Sequence, residues 1–131
     1  MSMLALRYRW AWIGATWLLV LIIVAGSLEP DVGSAPVAGF DKIGHFSAYF
    51  ALTFLGSAVV TIDRVPWVLA RAMLLGLAME AAQALFTKTR TADWTDVLAN
   101  TAGVMTAWWL VRRRAGWALL AEAWFDSLRR H

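Results

Sequence analysis

Residues 10–28 read WAWIGATWLLVLIIVAGSL, a run without a single charge. Crossing about 30 Å of hydrocarbon takes roughly 20 residues at a rise of about 1.5 Å each, so this run can cross a bilayer as one helix. Working outward, segments 43–62, 67–86 and 93–111 have comparable length and apolarity. The second is interrupted by His45 and a few hydroxyls, the third by Arg71 and Glu80, and the fourth opens on Asp93 and Asp96. The expected fold is all-α: an integral membrane bundle of four transmembrane helices in residues 1–114, followed by a C-terminal interfacial amphipathic helix in residues 115–131. Between the first two spans, Glu29-Pro30-Asp31-Val32-Gly33-Ser34-Ala35-Pro36 stops a helix and reads as an exposed loop.

Composition agrees with lipid as a second solvent. The 131 residues are 60% hydrophobic and 16% charged, with a mean hydropathy of +0.59 and nine tryptophans; an ordinary globular domain carries about 25% charged residues. The absence of cysteine excludes disulfides, iron–sulfur clusters, thiolate zinc sites and cysteine nucleophiles. The net charge of +3 would suit a nucleic-acid partner in a soluble protein. Here the cations cluster at the ends of apolar runs, the pattern of a topology signal, and nucleic acid is discounted.

Sidedness follows from Lys and Arg. With a cytoplasmic N-terminus, Arg7, Arg9, Arg64, Arg71, Arg112, Arg113, Arg114, Arg129 and Arg130 lie inside, and Lys42, Lys88 and Arg90 outside. That asymmetry predicts a multi-pass membrane protein with both termini cytoplasmic. A rival reading takes Arg7/Arg9, the apolar core and Ala25-Gly26-Ser27 as a cleaved signal peptide. The apolar run is long for such a core, and cleavage would leave the remaining sidedness unchanged. Beyond Arg114, Trp117, Leu120, Ala121, Trp124 and Leu128 follow helical spacing with Glu122 and Asp126 on the far side, which describes a helix anchored in the cytoplasmic interface.

Ionisable and amide side chains within hydrocarbon are functional candidates by default. Asp41, His45 and Tyr49 step by four along the second span and continue through Thr53 and Gly56. Glu80 and Gln83 share a face of the third with Gly76; Asp93, Asp96, Asn100, Gly103 and Ala107 form a stripe on the fourth, polar first and small below. Small residues admit close helix approach, so the three stripes are expected to face one another at the extracytoplasmic surface. Taken singly, the positions have duller readings: Asp41 and Asp93 as helix caps, Lys88 as a snorkelling cation, and Glu80, Gln83, His45 and Asn100 as interhelical hydrogen-bonding groups.

Taken together, Asp41-Lys42-Ile43-Gly44-His45-Phe46-Ser47-Ala48-Tyr49-Phe50-Ala51-Leu52, Glu80-Ala81-Ala82-Gln83, Arg90, and Asp93, Asp96, Asn100 and Gly103 resemble the VanZ-like family of small bacterial membrane proteins. The family pattern looks like D-K-x-x-H-F-x-x-Y-x-x-L, E-x-x-Q, an Arg, then D-x-x-D-x-x-x-N-x-x-G, and every polar element has its counterpart over residues 41–103. The resemblance implies a membrane protein linked in some members to teicoplanin resistance, with a cell-envelope component as its substrate. It supplies no mechanism.

Elimination narrows the chemistry. An acid-phosphatase mechanism needs two histidines at one phosphate, whereas His45 and His131 fall on opposite sides of the predicted membrane. Ser47 and His45, two apart on a helix, point to different faces, and no glycine-rich phosphate cradle is present. The candidate catalytic groups are Glu80, His45 and Asp41, as acid or base. The candidate ligand-binding groups are Lys42, Tyr49, Gln83, Arg90, Asp93, Asp96 and Asn100, with Lys42 and Arg90 holding an anionic headgroup. The sequence identifies no cofactor; a divalent metal on some of Asp41, His45, Glu80, Asp93 and Asp96 stays open, as no spacing is diagnostic. The expected partners are membrane lipids and an anionic envelope lipid or glycan precursor. Binding is not separated from turnover. The alternatives are a structural protein whose polar groups only lock helices together and, less favoured for want of a polar path across, a small carrier.

Overall fold

The computed structural model describes residues 3–28, 40–86 and 93–129. These form five helices: α1 (Arg9–Leu28), α2 (Phe40–Gly56), α3 (Val65–Phe86), α4 (Trp94–Arg113) and α5 (Trp117–Leu128), with a 3-10 turn at Ile62–Arg64 leading into α3. The protein is all-α. Two segments, Arg9–Leu28 and Ile62–Phe86, are long and apolar enough to cross a membrane. Of the four expected spans, α2 is shorter, at 17 residues, and α4 more polar. The loop assigned to residues 29–36 lies outside the described residues.

The second segment differs from expectation. The helix starts at Phe40 and stops at Gly56, where hydropathy predicted a run through residue 62. Val59, Val60 and Thr61 are β-branched and lose side-chain freedom in a helix, and this stretch instead pairs with the N-terminus. Met3 and Val60 form an antiparallel bridge, and the Leu4 N–H donates to Val59 O at 3.1 Å. Pro66 sits in the first turn of α3, where its missing N–H leaves no intrahelical bond unmade. Asp93 caps α4 by accepting from Thr95 N at 2.8 Å. Gly116, at φ +74°, takes the left-handed conformation that separates α4 from α5.

The tightest contact joins α2 to α4. A Cβ placed on Gly103 would fall 2.3 Å from Phe46 O and 2.9 Å from Phe50 N, so the two backbones meet at this glycine. Val104 and Ala107 are fully buried beside it. Tyr49, Leu52, Ala72 and Val104 form the core with Ile23 of α1. On α2, Phe46, Phe50 and Phe54 stack at successive turns, and Phe54 lies 4.1 Å from the Trp117 ring of α5.

Around this polar and small-residue interior the outer faces are apolar. Trp17, Leu18, Leu21, Leu74, Leu77 and Trp109 are all at least half exposed, whereas Thr53, Glu80, Gln83 and Asn100 are buried. The apolar stripe of α5 is likewise exposed at Leu120, Trp124 and Leu128. The acidic edge lies opposite, as expected, but against the protein. Glu122 is buried and accepts from Arg7 N at 2.8 Å, Tyr8 N at 2.9 Å and the Trp12 indole at 2.9 Å, while Asp126 pairs with Arg7. A carboxylate thus sits at the entry to α1, where the helix dipole favours negative charge.

Candidate functional site

At the end of the bundle opposite α5, the three polar stripes converge. The first turn of α2 carries Asp41 and Lys42, and one turn on is His45; α3 arrives with Glu80 and Gln83; α4 starts from Asp93 with Asp96 and Asn100 inward. Gly103 explains the convergence, since backbone contact between α2 and α4 carries His45 and Asn100 into the same layer. Gly76 plays the matching part on α3: a Cβ there would meet Asn100 Nδ2 and Tyr49 Cε1, both at 3.3 Å.

Lys42 is the hub of the outer layer. Its ammonium donates to Asp93 Oδ2 at 2.8 Å and to Asp96 Oδ1, and lies 3.0 Å from Asp41 Oδ2. The ammonium is thus shared among three carboxylates. An anionic headgroup at Lys42 therefore has three carboxylates to displace. Asp41 stands at the rim, half exposed.

Below lies the inner layer. His45 Nδ1 is 3.1 Å from Asn100 Oδ1, and its Nε2 is 3.5 Å from Asp96 Oδ2. Glu80 is buried; its Oε2 accepts the Asp93 backbone N–H at 3.2 Å, and its Oε1 has no partner among the described residues. His45, Glu80 and Asp96 each offer one ligand atom, all within 4.8 Å of one another. Tyr49 is buried with its hydroxyl unpartnered among the described residues. Gln83 reaches across to α1, donating to Ser27 O at 3.0 Å. The structure thus brings Asp41, Lys42, His45, Tyr49, Glu80, Gln83, Asp93, Asp96 and Asn100 together; Arg90, Lys88 and His131 lie outside the described residues.

A model of the VanZ/LLP1 family matches residues 3–119, most of the chain. The chain belongs to the VanZ/LLP1 family. No curated protein and no solved structure matches it. The VanZ/LLP1 match includes α1, which the motif spacing left out and which contributes to the site. A cleft of about 540 Å³ runs between this helix and the polar layer, with Leu19, Ile22 and Gly26 on one side and Lys42, His45 and Asp96 on the other. Sequence reading treated α1 as a plain span, and its only local signal was the small pair Gly26-Ser27. Glu122, beyond the family match, was also missed as a buried group.

Proposed function

We propose that this VanZ/LLP1 protein is a four-span inner-membrane protein with cytoplasmic termini, and that its extracytoplasmic cleft holds the headgroup of an amphipathic envelope lipid or lipid-linked glycan precursor. The observation that carries this reading is the two-sided lining of the cleft: aliphatic along α1, polar along α2 and α4. That division suits a molecule with an acyl or prenyl chain and a polar head. The inside-out character of the bundle, polar within and apolar without, supports α2 and α4 crossing beside the two long helices. At about 1.5 Å per residue the 17 residues of α2 reach about 26 Å, close to the hydrocarbon thickness. The cations further support the orientation. Arg9, Arg112 and Arg113 lie over Trp10, Trp108 and Trp109 at the end that carries α5, as expected at a cytoplasmic interface.

The test is mass spectrometry of lipids retained by the purified protein in bilayer discs supplied with bacterial envelope lipids. Gly26→Phe fills the cleft from a position where an added Cβ meets nothing within 4 Å. The expected result is one lipid class enriched on the wild type and lost on Gly26→Phe. Equal lipid profiles would favour the structural reading.

A further inference from the structure

The inner layer gathers acceptors, one of which has no donor among the described residues. The Asn100 Oδ1 atom only accepts, so the His45 Nδ1 that faces it at 3.1 Å carries the ring proton. In the neutral imidazole, Nε2 then presents a lone pair toward Asp96 Oδ2, another acceptor, at 3.5 Å. Glu80, only 6% exposed, completes the group, and its Oε1 is buried without a partner among the described residues. An oxygen from each of the two carboxylates and a ring nitrogen of His45 lie within 4.8 Å of one another. Carboxylates this close, one of them buried, repel unless a positive charge lies between them. Lys42 does not fill that role for Glu80, since its bonds go to Asp93, Asp96 and Asp41.

The geometry points to a divalent metal site formed by His45 Nε2, Glu80 and Asp96. One nitrogen and two carboxylates suit a first-row ion such as Zn²⁺ or Mn²⁺. Asn100 acts as the positioning residue: by accepting from Nδ1 it fixes the tautomer that leaves Nε2 to the metal, a common arrangement around ligating histidines. Three protein ligands leave coordination positions open toward the cleft. An ion there would also supply the positive charge that Lys42, surrounded by carboxylates, does not offer to an anionic headgroup. The site stands without the lipid reading, because its ligands are defined by α2, α3 and α4 alone.

The full-length protein in detergent, stripped with chelator, is titrated with Mn²⁺ and Zn²⁺, and the Mn²⁺ form is examined by pulsed electron paramagnetic resonance. The expected result is one ion per chain with a ¹⁴N coupling from an imidazole. Glu80→Gln and Asp96→Asn should weaken binding about 100-fold or more, and Asn100→Ala about 10-fold through loss of ring orientation. Asp126→Asn, at the other end of the bundle, leaves binding unchanged. Absence of stoichiometric binding by the wild type, or bound Mn²⁺ without nitrogen coupling, overturns the site even if a variant fails to fold. Undiminished affinity in folded Glu80→Gln and Asp96→Asn does the same. Metal binding by the lipid-free protein in detergent separates the two proposals; lipid retention without metal binding leaves only the first.

Discussion

Glu122 and Trp12 meet across 110 positions of sequence, the carboxylate Oε1 accepting the indole N–H at 2.9 Å while the same group takes the backbone N–H groups of Arg7 and Tyr8. Burial pushes the Glu122 carboxyl up, and these three donors outweigh it, leaving it below its ordinary value of 4.5. A carboxyl lowered by folding stabilises the folded state above its ordinary value, and that stability is lost as pH falls through the lower folded value. Melting in detergent should therefore drop below about pH 4.5 in the wild type, and Glu122→Gln should lose this component of the acid response. At pH 7 the substitution should cost about 2 kcal/mol, the scale of hydrogen bonds to a charged group.

Lys42 holds three carboxylates together by ion pairs. Lys42→Met leaves Asp41, Asp93 and Asp96 facing one another. With the site partly open to solvent and screened, the expected loss is about 1–2 kcal/mol at pH 7. Thermal melts of both proteins check it.

Two glycines should respond unequally to alanine. At Gly103 the added methyl meets main-chain atoms of Phe46 and Phe50, which only a separation of α2 from α4 relieves. At Gly76 it meets side-chain atoms of Asn100 and Tyr49 at 3.3 Å, which yield by a few tenths of an ångström. Gly103→Ala should lose about 3 kcal/mol or fail to assemble, and Gly76→Ala about 1. Equal melting temperatures would contradict the close α2–α4 contact.

Tyr49→Phe should leave stability unchanged or raise it by up to about 1 kcal/mol, because the hydroxyl is buried without a partner among the described residues. A loss of more than that would show that the hydroxyl bonds to a bound molecule.

Much of the polar site was legible because its residues repeat at helical spacing within apolar runs: Asp41, His45 and Tyr49 on α2, Glu80 and Gln83 on α3, Asp96 and Asn100 on α4. Spacing assigns a face and no more. It did not show that Lys42 is shared by three aspartates, or that Asp41 stays at the rim while Glu80, His45 and Asp96 draw together, since both depend on the relative height of three helices. The early end of α2 was hidden because residues 57–62 are as apolar as a span, and only pairing with the N-terminus separates the two conformations. Glu122 was read from its own helix, where nothing announces that the opposing surface is the start of α1.

Orientation is open to a direct check because the native chain has no cysteine. Phe40→Cys, at the head of α2, should react with an impermeant maleimide on intact cells, after removal of the outer membrane if one is present. Ser127→Cys, on α5, should react only after permeabilisation. Reversed labelling would invert the proposed topology, and labelling of both from outside would reject paired helical crossings.

The carboxylate bound to Arg7 N lies 115 positions downstream of it. A ribosome makes α1 long before it makes α5, so the first helix forms with that end incomplete. Completion waits on α5, so a chain stopped within α4 leaves the donors of Arg7, Tyr8 and Trp12 uncovered.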